Sequence, residues 1–399
     1  MTQGPAKSRS LRLWLAMSCT AIATAMGVSA VAAETIKVGI IAPFSGPFAE
    51  YGKQFKESVE VYVAQNGSEI NGNKIELIYR DEGGANPAAA KSLAQELIVK
   101  DGVKYIGGFQ FTPNALAIAP LIQEAKIPTV IFNAATSIIT TKSDYFLRTS
   151  FTLWQMTQPL GGWVAKQGQK TAVVAVSDFA PGHDASAGFR DGYTKGGGQV
   201  LDEIRMPLNT TDFAPFMQRI KEKNPAALFA FMPAGPPTFA FIKAFNENGL
   251  GKAGIKLYGT GETDESMLQP LGDSAIGIVT GYHYSPDHDS VLNKAYLKKR
   301  EELFKGSVAN FAVAGAYDGI HLIYQMIKAA GGDGDKAVAA AKGMAWESIR
   351  GPVKIDPTDR HVIQNVYLRR VVRDEKTGLL VNREFEVIKD VPDLGLRQK

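Results

Sequence analysis

The sequence predicts an α/β fold with two lobes, each built on a parallel sheet, and three features support this prediction. Short apolar strands alternate with amphipathic helices through most of the chain, which is the pattern of a parallel sheet covered by helices. A second series of such units begins after Arg148, much as the first begins at Ile36. No low-complexity linker separates the two series. We therefore expect several crossings of ordered chain between the lobes, and a ligand cleft between them.

The opening unit sets the pattern for the rest of the chain. Residues 36–41 form a predicted strand that ends before Pro43, a Ser-Gly-Pro turn follows, and a helix begins near Ala49. Glycine and proline let the backbone turn sharply and approach a ligand closely. Because ligands of open α/β sheets bind beyond the carboxyl ends of the strands, we expect this loop to border the cleft.

The other elements follow from apolar runs for strands and from apolar spacings of three and four for helices. The predicted strands are 74–79, 103–106, 127–132, 171–176, 200–205, 228–231, 255–258 and 275–284, with a β meander at 353–355, 362–368 and 385–388. The predicted helices are 49–64, 154–167, 291–304, 312–330 and 335–342, with others beginning near Asn86, Thr112, Asp212 and Pro236 and one passing through Phe189 and Tyr193. The predicted lobes are 34–150 with 286–345, and 151–285 with 346–399.

The first 33 residues have the pattern of a cleaved secretory signal. A basic start is followed by an apolar run at 13–28 and by small residues that end at Ala33. A membrane anchor is the alternative, but this run is shorter than the roughly 20 residues that a spanning helix needs. The only cysteine, Cys19, lies inside the segment, and a lipid-anchored start there is a weaker alternative. The exported body is thus predicted to have no disulfide and no cysteine-ligated metal.

Charge and motifs exclude several functional classes. The formal net charge of +4 includes three basic residues of the first 33, Lys7, Arg9 and Arg12, which leaves +1 for the remainder; this gives no support for a nucleic-acid surface. The sequence contains no G-x-S-x-G, H-E-x-x-H, G-x-x-x-x-G-K or strand-following G-x-G-x-x-G motif. The five histidines are not spaced like metal ligands, although a metal site around His283 and His288 is an alternative to a solvated loop. We predict no catalytic residues, no metal and no cofactor.

Short loops rich in hydroxyl, amide and glycine groups follow several strands. They lie at 45–46, 109–112, 133–137 and 259–262. Hydroxyl groups and loop amides at helix starts suit a carboxylate, because helix amino ends carry unpaired N–H groups and partial positive charge. The alternative for any single loop is that its Ser or Thr caps its own helix.

Aromatic residues cluster in and near the same loops, and they either line the cleft or belong to the core. They are Phe44, Phe48, Tyr51, Phe109, Phe111, Phe179, Phe231, Tyr282 and Tyr284.

Several segments resemble the periplasmic solute-binding proteins of the Leu/Ile/Val-binding type, which feed ABC transporters. The segments are IKVGIIAPFSGPFAEYG, NGNKIELIYRDEGGANPAAA, IGGFQFTPNALAIAPLIQEAKIPTV, NAATS and AYDGIHLIYQMIKAAGG, in this order. The resemblance implies a type I fold, in which two Rossmann-like lobes joined by three crossings close on the ligand. It also implies a periplasmic location, an ABC membrane permease as the partner, and no enzymatic activity.

The resemblance also implies roles for individual residues. Thr112 matches the serine that binds a ligand carboxylate, and Ala135 and Thr136 match the Ala-Thr that assists it. Tyr51 matches the aromatic residue of the opening loop that packs on the ligand. Glu262 lies near the acid that binds the ligand ammonium, but it is offset by about one position.

Two departures from the family affect the second lobe. Pro181 stands where the family has an aromatic residue, with Phe179 nearby, and the loop MPAGPP after Phe231 lacks a tyrosine that often contacts the amino group. Carboxylate recognition is therefore expected to be kept, while ammonium recognition is in doubt. The predicted ligand-binding residues are Tyr51, Phe109, Phe111, Thr112, Ala135, Thr136, Phe179, His183, Glu262 and Tyr282.

The sequence thus predicts a solute-binding component of an ABC importer that captures an aromatic or otherwise hydrophobic carboxylate. A branched-chain amino acid is the alternative ligand. Less favoured alternatives are the ligand-binding part of a sensor and an exported enzyme that uses Glu262, Asp264 or His183.

Overall fold

A computed structural model describes residues 1–4, 34–233 and 235–396. Most of the predicted signal peptide, residues 5–33, lies outside the described residues and stays a prediction. All elements reported below belong to the compact unit that begins at Glu34. Among the described helices, none has an apolar stretch that could cross a bilayer.

Strands and helices alternate along the chain as far as residue 282. The strands are β1 (Thr35–Ala42), β2 (Glu69–Ile70), β3 (Asn73–Asp81), β4 (Tyr105–Gly108), β5 (Thr129–Ile131), β6 (Phe146–Arg148), β7 (Thr171–Ser177), β8 (Gln199–Met206), β9 (Ala227–Phe231), β10 (Lys256–Gly259), β11 (Val279–Tyr282), β12 (Ala345–Ser348), β13 (Gly351–Ile355), β14 (Val362–Arg373) and β15 (Leu380–Val391). The helices are α1 (Ala49–Asn66), α2 (Pro87–Glu96), α3 (Thr112–Ala125), α4 (Leu153–Lys166), α5 (Ala180–Lys195), α6 (Ala214–Lys223), α7 (Pro236–Glu247), α8 (Glu265–Leu271), α9 (Val291–Leu303), α10 (Ala312–Ala330) and α11 (Gly334–Ala341).

The first lobe is built on a six-stranded sheet with the order β2-β3-β1-β4-β5-β6. All neighbours in it are parallel except the short β2–β3 pair. The late helices return to this sheet, since α10 packs on α1, β4 and β5, α9 packs on α1, and α11 packs on α10. The carboxyl ends of β1, β4 and β5 therefore point their loops to the same edge of the sheet.

The second lobe is built on a nine-stranded sheet in which β7, β8, β9, β10 and β11 are parallel. The tail adds an antiparallel part, because β14 pairs with β11, β13 and β15. This confirms the predicted meander. The helices α4 and α5 pack together on this sheet.

The chain passes three times between the lobes, at 149–152, 283–290 and 342–344. A buried arginine braces the first crossing, where the Arg350 Nη1 donates to the Ser150 carbonyl at 3.0 Å and Nη2 donates to the Thr149 carbonyl. Nη2 of the same guanidinium also pairs with Asp318 at 2.7 Å. The predicted α/β fold with two parallel-sheet lobes and three crossings is confirmed.

The structure differs from the predicted elements in a few places. Strands β2, β6 and β12 and helix α8 were not predicted, because each is only two to seven residues long and carries too little periodicity. The predicted strand at 275–284 is shorter, since a 3-10 turn precedes it and Gly277 has a φ of +87°. The predicted boundaries of the lobes remain a proposal.

Candidate functional site

A cavity lies between the two lobes, where the loops after the parallel strands face one another. Its lining is mostly aromatic and apolar. The lining residues are Tyr51, Gln110, Phe111, Thr112, Asn133, Ala135, Phe151, Leu153, Phe179, Pro181, Phe231, Met232, Pro233, Gly261, Tyr282 and Phe311. The structure thus brings Tyr51, Phe111, Thr112, Ala135, Phe179 and Tyr282 of the predicted set together in one cavity.

The wall from the first lobe carries the buried hydroxyl group of Thr112, while the predicted Thr136 does not line the cavity but contacts Thr112. Thr112 is the first residue of α3, and its Oγ1 lies 2.8 Å from the Oγ1 of Thr136, within hydrogen-bonding distance. The hydroxyl of Thr112 does not cap its own helix, since the cap position is Phe111 and no side-chain cap bond forms there. The first turn of α3 adds N–H groups without intrahelical partners and partial positive charge. This wall therefore suits an anionic oxygen.

The backbone of the loop before Thr112 packs closely against the backbone of β1. Gly108 has a φ of +118°, and a Cβ there would lie 2.1 Å from the Ile41 carbonyl oxygen, so no other residue fits. Phe109 follows with a φ of +65° and fixes two neighbours, since its N–H donates to Ile41 and its carbonyl accepts from Ala134. Its ring is fully buried in the core. The prediction that Phe109 contacts the ligand is not supported, because this backbone conformation turns its ring away from the cavity.

A buried guanidinium lies behind the same wall. Arg148 is fully buried, and its Nη2 donates to the Thr136 carbonyl at 2.8 Å. Its Nε and Nη1 have no partner within the described part of the chain. Desolvation lowers the pKa of Arg148 to about 10, with Asp393 and Asp184 as the opposing charges, so it stays charged at neutral pH. A positive charge behind the Thr136 loop favours an anion in front of it.

Two side-chain amides complete this wall, and sequence reasoning missed both. Asn133 Nδ2 donates to the Gln110 carbonyl at 3.3 Å. The side-chain oxygens of both residues are buried without a hydrogen-bond partner among the described residues. Gln110 lies two positions before Thr112, and Asn133 lies two positions before Ala135. Their position in loops that were already predicted to bind the ligand could have identified them.

The wall from the second lobe is built from rings and small apolar groups. Phe179 and Phe231 lie nearly parallel, with ring centroids 6.2 Å apart and an interplanar angle of 17°. Pro181 and Met232 lie beside them in the lining. An apolar wall with parallel rings is suited to a flat, apolar ligand body.

A second group of rings closes the cavity near the crossings. Phe311 makes edge contacts with Tyr51, Tyr282 and Phe151, at centroid distances of 5.8, 4.8 and 6.3 Å. Sequence reasoning missed Phe151 and Phe311. Neither follows a strand of the predicted pattern, because Phe151 lies in the first crossing and Phe311 precedes α10.

Glu262 does not line the cavity. Its carboxylate accepts hydrogen bonds from the backbone N–H of Met232, at 3.2 Å, and of Thr260. Burial raises the pKa of Glu262 to about 7. The residue that lines the cavity is Gly261, where a Cβ would lie 3.3 Å from Tyr282 Oη and 3.4 Å from the Phe311 ring. The offset of one position thus turns the acid inward, so its predicted contact with the ligand is not supported.

The other predicted acid-base groups do not converge on the cavity. His183 is half-buried on α5, where its Nε2 lies 2.8 Å from Asp178 Oδ1, and it does not line the cavity. Asp264 accepts from the N–H of Ser266 at 3.0 Å and caps α8. Among the described residues, no group of three His, Cys, Asp or Glu side chains could hold a metal ion.

Comparison with known proteins identifies the family. A family model described as "Periplasmic binding protein" matches residues 35–377. The "Leu/Ile/Val-binding protein homolog 6" of Brucella abortus (strain 2308) is 46% identical over 386 residues, which cover 96% of this chain and 99% of the relative.

Solved structures give the same fold. A solute-binding protein of an ABC transporter from Rhodopseudomonas palustris, in complex with 4-hydroxybenzoate, is 51% identical with a TM-score of 0.88, covering 92% of this chain and 100% of that one. A solute-binding protein from R. palustris BisB5, in complex with 3,4-dihydroxybenzoic acid, is 46% identical with a TM-score of 0.86, covering 91% and 99%.

Proposed function

We propose that this chain, which belongs to the periplasmic binding protein family, is the solute-binding component of an ABC importer and captures a small aromatic carboxylate between its lobes. One observation carries the proposal: the cavity keeps hydroxyl and amide groups for a carboxylate on one wall, but no acidic side chain is among its described lining residues. A carboxylate has hydrogen-bond donors there, while an ammonium group has no partner of opposite charge.

The carboxylate is assigned to the wall of the first lobe. Thr112 and Thr136 supply hydroxyl groups, and the start of α3 supplies N–H groups and partial positive charge. Ala135 lines the cavity between them and brings the backbone of its loop close to the ligand. The charge of Arg148 behind this loop adds to the attraction for an anion.

The described residues of the cavity lining give no charged partner to an α-ammonium group. Glu262, the acid nearest to the family position, is engaged by two backbone N–H groups, and Gly261 presents no side chain. A buried ammonium without a charged partner is costly. The binding of a plain carboxylic acid is therefore favoured over that of an amino acid.

The ligand body is assigned to the rings. Phe179 and Phe231 form a nearly parallel pair on one side, and Tyr51 and Phe311 lie in edge contact on the other. Flat rings pack well in such surroundings, in offset-stacked or edge-to-face contacts. The ligands of the two R. palustris structures are hydroxylated aromatic carboxylates, which fit this lining.

A branched-chain amino acid is the alternative ligand, and the names of the Brucella relatives favour it. The lobes 34–150 with 286–345, and 151–285 with 346–399, are proposed to close as units on the ligand and to present it to the membrane permease. Residues 1–33 are proposed to be a signal peptide that directs the protein to the periplasm and is then cleaved.

Isothermal titration calorimetry of refolded protein tests the proposal, because refolding removes ligand carried over from the host. Benzoate and 4-hydroxybenzoate form one panel, and leucine, isoleucine, valine and phenylalanine form the other. We expect binding of the first panel and none of the second; a ligand at about 100 times its Kd also adds roughly 2.7 kcal/mol of stability in a thermal-shift assay. Binding of amino acids alone would contradict the proposal.

A further inference from the structure

The hydroxyl group of Tyr282 is a polar group in the cavity wall that the proposed function does not yet use. Tyr282 ends β11 on the second lobe and is 3% exposed. The side chain lines the cavity. A ligand that fills the cavity excludes water from this hydroxyl group, and a hydroxyl group removed from water without a hydrogen bond costs free energy. A partner supplied by the ligand would therefore be favourable.

Neighbouring side chains fix the ring of Tyr282. Phe151 and Phe311 contact it edge to face, at centroid distances of 5.0 and 4.8 Å. The guanidinium of Arg369 lies 5.1 Å from the ring centroid. This arginine is buried, and it donates to the carbonyl groups of Tyr284, at 2.6 Å, and of Thr260, at 3.0 Å. These contacts hold the ring of Tyr282 in place.

The hydroxyl group points to the place where a side chain of residue 261 would begin. A Cβ at Gly261 would lie 3.3 Å from Tyr282 Oη. Because Gly261 has no Cβ, that space belongs to the cavity. Thr112 lines the same cavity from the other lobe.

We propose that Tyr282 Oη hydrogen-bonds to a hydroxyl group on the ring of the bound aromatic carboxylate, and that it selects hydroxylated acids over unsubstituted ones. This inference rests on the proposed function, in which the first lobe holds the carboxylate. The side-chain amides of Gln110 and Asn133 are assigned to the carboxylate end, because they lie in the same loops as Thr112 and Ala135.

The chemistry of both partners supports this pairing. Burial raises the pKa of Tyr282 well above its usual value, so the phenol keeps its proton and can either donate or accept. A ring hydroxyl on the ligand can take the complementary role. Unsubstituted benzoate would leave Tyr282 Oη unpaired, and the resulting preference is expected to be about tenfold, the size of one neutral hydrogen bond.

Titration of two proteins with two kinds of ligand tests the inference. Wild type and Tyr282→Phe are titrated with benzoate and with 2-, 3- and 4-hydroxybenzoate. We expect the substitution to weaken at least one hydroxybenzoate about tenfold and to change benzoate less than twofold. Tyr284→Phe is the matched control: Tyr284 is also fully buried, but its hydroxyl donates to Asn293 at 2.7 Å and it does not line the cavity.

Three other results of these titrations would contradict the inference. Equal weakening of benzoate and the hydroxybenzoates by Tyr282→Phe would mean that the hydroxyl group contacts the carboxylate or only supports the wall, and the inference would be wrong. Unchanged affinity for all four acids would also overturn it, while the proposed function would stand. If wild type bound none of the four acids, the proposed function would fail and the inference with it.

Discussion

The two walls of the cavity are built by the same kind of loop, placed after parallel strands, yet they present different chemistry. The first lobe presents the hydroxyl group of Thr112 and two side-chain amides, with Thr136 and Arg148 behind them. The second lobe presents rings, and its nearest acid is turned into its own backbone. The first wall is suited to an anionic group and the second to an apolar body.

This difference shows that a shift of one residue in a loop can decide between binding a plain carboxylic acid and binding an amino acid. Glu262 and Gly261 are adjacent in one turn after β10, but only the position of Gly261 faces the cavity. An acid at 261 would point at the ligand, whereas an acid at 262 accepts two N–H groups of its own lobe. The register of this turn, rather than the presence of an acid, decides whether the second wall can pair with an ammonium group.

The largest expected effect comes from placing an acid on the second wall. In Gly261→Asp, a carboxylate would enter the cavity beside the bound anion, and its Cβ would crowd Tyr282 and Phe311. Like charges brought together at a binding site cost several kcal/mol, so the affinity for 4-hydroxybenzoate should fall by about a hundredfold or more in calorimetric titrations.

Gly261→Ala is the control for this prediction. It adds the Cβ without the charge, and a loss of at most about tenfold is expected. If Gly261→Asp bound 4-hydroxybenzoate as wild type does, the ligand would have to lie elsewhere.

The next effect tests the first wall. Thr112→Val removes the hydroxyl group and keeps the shape of the side chain. A hydrogen bond to a charged group is worth about 1.5–3 kcal/mol, so benzoate and 4-hydroxybenzoate should both bind roughly 10- to 100-fold more weakly. Thr157→Val is the matched control, because Thr157 is also buried but donates to the Leu153 carbonyl within α4, outside the cavity. Unchanged affinity in the Thr112 variant would place the carboxylate at another site.

A smaller effect comes from a contact that joins the two walls. The backbone N–H of Ser137, in the loop that carries Thr136, donates to Asp184 Oδ2 of α5 at 2.8 Å. Asp184→Ala removes this bond between the lobes and should weaken all bound acids alike, by about fivefold, which corresponds to one modest hydrogen bond. Asp191→Ala on the same helix, where Asp191 pairs with Lys195 instead, should leave affinity unchanged. A loss that depended on the ring substituent would argue for direct contact rather than closure.

The sequence was sufficient for the fold and for part of the first lobe's wall. Strand–helix alternation predicted both sheets, and the loop positions of Thr112 and Ala135 placed them in the cavity. The sequence was insufficient where a single backbone angle, or a shift of one residue, decides whether a side chain faces the cavity. The φ of +65° at Phe109 directs its ring into the core.

The two aromatic residues of the cavity that the sequence did not predict were missed for a different reason. Phe151 lies in the first crossing and Phe311 precedes α10, so only the closing of two distant segments brings them together. Local periodicity contains no signal for such a contact, because it depends on how the lobes meet. The position of His183 outside the cavity follows from the same kind of tertiary placement on α5.

The smallest effect on binding is expected for a substitution of Glu262. This substitution should instead change the free energy of unfolding and its dependence on pH. Glu262→Gln should alter the affinity for 4-hydroxybenzoate by less than twofold, because the side chain does not line the cavity. Burial raises the pKa of Glu262 to about 7, from an ordinary value near 4.5. The folded protein therefore holds a proton on this group that the unfolded chain has released, and stability is lost as pH rises from about 4.5 through 7.

The glutamine variant lacks this titration, so its pH profile should be flatter than that of wild type. At pH 5 the variant should be less stable than wild type. The two carboxyl oxygens of Glu262 accept hydrogen bonds from two backbone N–H groups, whereas the amide NH₂ of glutamine would face one of these N–H groups and could not accept from it. Between pH 5 and pH 8 the gap should narrow by on the order of 1–3 kcal/mol, as measured by urea unfolding at both pH values. Glu247→Gln, at an exposed position of α7, should leave the wild-type profile unchanged. A gap that widened with pH would mean that Glu262 is ionised in the folded protein near pH 5, and an ionised carboxylate beside the cavity would restore the case for an ammonium-bearing ligand.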